Sequence, residues 1–68
     1  MRLKELREKK RISQQKLAID LGTTQNTISR YETGEREMNY AFLIAVADYF
    51  NVSIDYLLNR TENPNLIT

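Results

Sequence analysis

The chain contains neither cysteine nor histidine. Disulfide staples, thiol or imidazole catalysis and the usual zinc sites are thereby excluded, and no cofactor is expected. No apolar run approaches the roughly 20 residues needed to span a bilayer, and no signal-peptide core follows the start. The expected address is the cytoplasm, with no membrane partner. Only two glycines and one proline stand in 68 residues, against 41% hydrophobic ones, so the chain reads as globular rather than disordered. No strand pattern and no internal repeat is visible. One small domain of this length, lacking staples, needs a well-packed helical core or a partner.

Net charge is also scarce, at +1, but it is unevenly spread. Residues 1–36 carry nine Lys/Arg and five Asp/Glu, giving +4; residues 37–68 carry one Arg and four Asp/Glu, giving −3. A basic N-terminal half and an acidic remainder suit a domain that offers one face to phosphate.

The two glycines bracket the stretch around which the chain is organised, Gly22 to Gly34. Each reads as a helix stop followed by a change of direction, because Gly adopts positive φ cheaply. Thr24 is a good N-cap, which predicts a helix over Gln25 to Thr33. At about 100° per residue from Gln25, the side chains of Gln25, Ser29, Thr33, Asn26 and Arg30 fall between about 0° and 140°. Thr27, Tyr31, Ile28 and Glu32 fall between about 200° and 340°. One face can be buried. The other is almost wholly hydrogen-bonding, and its Gln, Asn and Arg are the side chains whose two-pronged contacts distinguish adenine and guanine in the major groove.

The flanking segments read as helices too. Arg2 to Arg11 presents Leu3 and Leu6 inward, with Ile12 closing it and Lys9, Lys10 and Arg11 either complementing the helix dipole or meeting phosphate. Arg7 borders the buried side. Ser13 caps a second helix opened by Gln14, Gln15 and Lys16, with Leu17, Ala18 and Leu21 inward and Gly22 as its stop. Two short helices joined by a turn of about 3–4 residues containing Gly form a helix-turn-helix. After a charged loop, Asn39 caps Tyr40 to Phe50, whose Leu43, Val46, Ala47 and Phe50 form a stripe widened by Phe42, Ile44 and Tyr49. These aromatics, at helical spacing, read as core rather than as base-stacking groups. Ser53 caps a short fifth helix from Ile54 to Leu58 or Asn59. Thr61 to Asn65 is polar and proline-broken, so residues 61–68 read as a tail or a linker beyond a domain of residues 1–60.

Two separated motifs resemble a known family. Ile12-Ser13-Gln14-Gln15-Lys16-Leu17-Ala18, followed by Gly22 to Gly34, is similar to the helix-turn-helix of the Cro and phage-repressor family. Val52-Ser53-Ile54-Asp55-Tyr56-Leu57-Leu58 resembles that family's closing helix. The resemblance covers about residues 3 to 60 and implies an all-α, five-helix DNA-binding domain of bacterial or phage origin. It further implies a transcriptional regulator, most simply a repressor, acting as a homodimer on near-palindromic double-stranded DNA. Matched position by position, it places base reading on Gln25, Asn26, Ser29 and Arg30. Phosphate contacts fall on Gln14, with Ser13 beside it, and on Thr33; Thr24 at the next helix start and Arg36 in the loop after that helix are further phosphate candidates. Arg7 and Glu32 match the family's partly buried ion pair, and Val52, Ile54, Asp55 and Leu58 its dimer interface. Two features depart from the pattern. The loop after Gly34, often Lys-rich in relatives, carries Glu35 and Glu37 and only Arg36 as a cation, and Asn51 stands where Gly is common.

A second reading is an interaction module of the same fold, such as an antitoxin. An apolar surface around Tyr56, Leu58, Leu66 and Ile67 would mark it. A C-terminal effector domain or partner protein is compatible with either reading if the chain is a fragment. An enzyme is disfavoured, because Asp20, Asp48 and Asp55 have no spacing that suggests a paired site and surface carboxylates are ordinarily just solvated.

Overall fold

The computed structural model describes residues 1–64. Its five helices are α1 (Leu3–Lys9), α2 (Gln14–Leu21), α3 (Gln25–Thr33), α4 (Tyr40–Phe50) and α5 (Ile54–Leu57), and there is no strand among the described residues. Four starts are capped by the side chains whose chemistry calls for it. Ser13, Thr24, Asn39 and Ser53 each sit in extended backbone and accept from the N–H three residues on, at Lys16, Thr27, Phe42 and Tyr56. Each such cap is worth about 1 kcal/mol relative to alanine.

The ends obey one rule as well. Gly22 and Gly34 are left-handed, at φ 71° and 82°, and so are Arg11, Asn51 and Asn59. After every helix the left-handed residue and its successor turn back to donate to carbonyls of the last turn. Thr23 and Gly22 donate to Ala18 and Ile19, Val52 and Asn51 to Ala47 and Asp48, and Arg60 and Asn59 to Asp55 and Tyr56. This double closure satisfies carbonyls that a bare helix end would orphan.

The first helix is shorter than the expected Arg2 to Arg11. Arg11 adopts φ 57°, and the N–H groups of Arg11 and Ile12 close onto Glu8 and Arg7. At the other end Arg2 gives its N–H to the carbonyl of Leu57, fastening the chain start to α5. The fifth helix likewise stops at Leu57, because Asn59 turns left-handed.

A single apolar core unites all five elements. Leu3, Leu17, Ile28, Val46 and Leu57 have no exposed surface, and Leu6, Ala18, Tyr31, Met38, Phe50, Val52 and Tyr56 complete the cluster. Small Ala18 of α2 is buried in this cluster, and α2 packs closely against α3. Tyr31 meets Phe42 at a centroid distance of 5.2 Å and Tyr49 meets Phe50 edge-on at 4.9 Å, so these rings are packing groups. Ile44 does not join the stripe expected of it and is 38% exposed. It lies about 160° around α4 from the fully buried Val46, on the far side of the helix.

Residues 61–64 lie back against the domain. The Arg2 guanidinium donates to the carbonyl of Thr61, and the Pro64 carbonyl accepts from the Ser53 N–H at 3.0 Å. Of the apolar patch that would mark an interaction module, two residues are described. Tyr56 is buried beneath the Arg2 guanidinium, 4.2 Å from its ring centre, and Leu58 is half-buried. Leu66 and Ile67 lie outside the described residues. No helix among the described residues is long and apolar enough to cross a membrane.

Candidate nucleic-acid interface

The outer face of α3 is held still from behind. Ile28 and Tyr31 are buried in the core, while Gln25, Asn26, Arg30 and Thr33 are exposed and Ser29 is half-buried. The Thr24 hydroxyl accepts from the Thr27 N–H at 3.2 Å and also bonds the Thr27 hydroxyl at 2.9 Å. Ser13 is committed in the same way to the Lys16 N–H. Both hydroxyls therefore act first as caps, and they bring the starts of α2 and α3 to the surface.

A chain of polar groups runs through the domain to that face. Arg7 donates from Nε to one Glu32 oxygen at 2.7 Å and from a terminal nitrogen to the other at 3.2 Å, and its remaining terminal nitrogen donates to the Ile12 carbonyl. The Glu32 side chain is only 3% exposed and that of Arg7 12%. The pair thus joins α1 to α3 in surroundings where neither charge is left to water. The hydrogen bond to Glu32, assisted by its charge and opposed by burial, raises the Arg7 pKa further above its ordinary value.

Gln14 extends this chain. Its amide nitrogen donates to Glu32 at 3.0 Å, and its amide oxygen accepts from the Gln25 amide at 3.4 Å. Four side chains from three helices thereby connect the buried carboxylate to the first residue of the exposed row. A glutamine amide has two N–H groups, so Gln14 has one more than its bond to Glu32 uses. No buried side-chain nitrogen or oxygen among the described residues lacks a hydrogen-bond partner.

Arg30 is placed differently. Its side chain is 54% exposed, and its Nε lies 3.9 Å from a Glu35 oxygen. Arg36 leans over the Tyr31 ring at 5.8 Å, in the same loop. Thr33 turns its hydroxyl back to the Arg30 carbonyl at 3.2 Å.

The four residues matched to a dimer interface do not form one patch. Val52, Ile54 and Asp55 line a groove of about 270 Å³ together with Ile44, Ala47, Asp48 and Ser53. Val52 is largely spent on the core. Leu58 lies apart, around a cavity of about 390 Å³ shared with Tyr31, Met38 and Leu43. Ile44 is the apolar groove residue that the helical stripe had turned inward.

Sequence reasoning also missed a surface tie between α2 and α4. Tyr49 donates its phenol to Asp20 at 2.6 Å, and Lys16 holds the other Asp20 oxygen at 2.9 Å. The Tyr49 hydrogen bond, aided by Lys16, keeps the Asp20 carboxyl below the usual carboxylate range, and Asp20 in turn raises the Tyr49 phenol. The i, i+4 spacing of Lys16 and Asp20 is the one local signal for it.

Comparison with known proteins adds the family. A family model described as helix-turn-helix matches residues 3–57. Over 61 residues, 90% of the chain, it is 41% identical to YqaE of Bacillus subtilis, an uncharacterised HTH-type transcriptional regulator, and covers 53% of that protein. Over the same share of the chain, it is 42% identical to the HTH-type transcriptional regulator AnsR of Bacillus subtilis, covering 53% of it, and 38% identical to ImmR of that organism, covering 48%. The chain thus spans about half the length of these relatives. No solved structure matches it significantly. With five helices in the expected order, a capped α2–turn–α3 unit and a match over residues 3–57, the chain belongs to the helix-turn-helix family of DNA-binding domains of the Cro and phage-repressor type.

Proposed function

We propose that residues 1–60 bind double-stranded DNA sequence-specifically and regulate transcription, with α3 in the major groove. The observation that carries this reading is the exposed row Gln25, Asn26 and Arg30 on a helix whose opposite side is buried, with Gln25 backed by Gln14, Glu32 and Arg7. Recognition helices enter the groove by their N-terminal residues. Gln25 or Asn26 pairs bidentately with adenine and Arg30 with guanine, each worth roughly 1–3 kcal/mol of discrimination, and Ser29 contributes a shorter contact. The remaining amide N–H of Gln14 and the N-terminal backbone of α2 meet phosphate, bordered by Ser13, Thr24, Thr33 and Arg36.

Two copies bind a near-palindromic site, meeting through the groove that contains Ile44, Ile54 and Asp55. Leu58, the fourth residue matched to the interface, lines the other cavity. Regulation is by occupancy, as a cytoplasmic repressor, because a domain of this size blocks a promoter simply by sitting on it. The relatives' greater length leaves room for an effector or partner domain that this stretch does not contain.

Selection of binding sites from random duplex DNA tests the reading. A palindromic motif is expected, with Gln25→Ala and Arg30→Ala each levelling preference at one symmetric pair of positions. Enrichment of no motif overturns sequence-specific recognition. Ile54→Glu should leave the monomer folded and abolish binding to the full site; undiminished binding would move the dimer contact elsewhere.

A further inference from the structure

Glu35 is the residue of this surface whose charge is hardest to reconcile with phosphate, yet the fold ties it directly to Arg30. The Arg30 carbonyl accepts from the Glu35 N–H at 3.0 Å and the Arg36 N–H at 3.3 Å, besides the Thr33 hydroxyl. Left-handed Gly34 turns the chain so that this closure is possible. The Glu35 carboxylate then lies 3.9 Å from Nε of Arg30. Nε is the inner nitrogen of the guanidinium. Approached on that side, at a distance set by charge rather than by a hydrogen bond, the group still presents both terminal nitrogens, the pair that reaches guanine O6 and N7 end-on.

An exposed ion pair of this length contributes little to folding. Its leverage lies in binding. A free arginine side chain must be ordered when it reads a base, and restraint before contact lowers that cost. The same carboxylate repels phosphate, so it weakens binding that depends on charge alone. Both effects widen the gap between the right sequence and all others.

Building on the reading of guanine by Arg30 set out above, we infer that Glu35 is a specificity-determining positioning residue that attracts the Nε side of Arg30 and penalises sequence-independent binding.

The test repeats the random-duplex selection with Arg30→Ala, Glu35→Gln and Glu37→Gln. Each protein is then titrated against the wild-type motif, a duplex changed at the Arg30-dependent base pair, and an unrelated duplex. Glu35→Gln should cut discrimination at that base pair by about threefold to tenfold, within the range one bidentate contact supplies, while binding the unrelated duplex more tightly. Glu37→Gln should keep the discrimination, and Glu35→Gln should change it no further in an Arg30→Ala background. The inference fails if Glu35→Gln leaves discrimination intact, or lowers it equally without Arg30. It also fails if Arg30→Ala levels no position of a motif that the wild type does select, an outcome that spares the reading of DNA by α3. A wild type that selects no motif removes both. In the free protein, the Arg30 Nε–H resonance should move in Glu35→Gln and stay in Glu37→Gln; an unmoved resonance overturns the inference without reference to DNA.

Discussion

Arg7 and Glu32 approach to 2.7 Å within the domain, and Tyr49 and Asp20 approach to 2.6 Å at its surface. Both contacts tie neighbouring helices together, the first joining α1 to α3 with Gln14 of α2 attached, the second joining α2 to α4. By distance they are equals. Their surroundings separate them. Glu32 has almost no exposed side-chain surface, so removing it strands an arginine that water cannot easily reach. Asp20 and Tyr49 border solvent, where lost partners are replaced by water at little cost. The worth of a polar contact is set by what its groups do once the partner is gone.

The sharpest way to break the comparison is Glu32→Ala. It leaves the Arg7 guanidinium uncompensated and should cost on the order of 2–4 kcal/mol, read from the denaturant midpoint. A midpoint equal to that of the wild type would show that the buried pair contributes no more than the surface one.

Gln14→Ala should cost less, about 1 kcal/mol, because it removes hydrogen bonds and leaves no charge unpaired. Its effect on DNA is more informative. A neutral phosphate contact alone would weaken all sequences equally and leave the salt dependence nearly unchanged. Because Gln14 also backs Gln25, preference at the position read by Gln25 should weaken as well. Titration against single-base-pair variants of the selected site separates the two outcomes.

The smallest effect belongs to Asp20→Asn, which should barely move the melting temperature at neutral pH. The sign of its pH dependence is fixed. The folded Asp20 carboxyl titrates below its ordinary value, so the contribution of its charge is present above the usual carboxylate range and is lost as pH falls through the folded value. Melting temperatures of wild type and variant should therefore converge as the pH drops below that range. A gap that widens on acidification would reverse the assigned cause.

What could be read from the sequence follows the same division between local and distant causes. The bounds of α2, α3 and α4 were legible because Ser13, Thr24 and Asn39 announce starts, and Gly22, Gly34 and Asn51 announce stops, within one turn of where they act. Arg11 was not legible as a stop. Arginine is at home in helices, and a left-handed conformation costs it about 1–2 kcal/mol that only the closure onto Arg7 and Glu8 and the packing of Ile12 offset. Ile44 was placed inward because the stripe was drawn too wide for a helix covered on one side. The bond between Tyr49 and Asp20 spans 29 positions, and nothing near either residue signals the other. At the interface the exposed row of α3 followed from periodicity, whereas the passage from Arg7 to Gln25 through Gln14 required three helices to be in place first.

The left-handed closures after all five helices have a kinetic meaning. Each boundary is decided among residues no more than five apart, so a helix can find its correct length before any distant contact has formed. Closures this local add little loop-closure entropy of their own, and small helical domains rich in local contacts fold in microseconds to milliseconds. Temperature-jump relaxation would show this as a single fast phase.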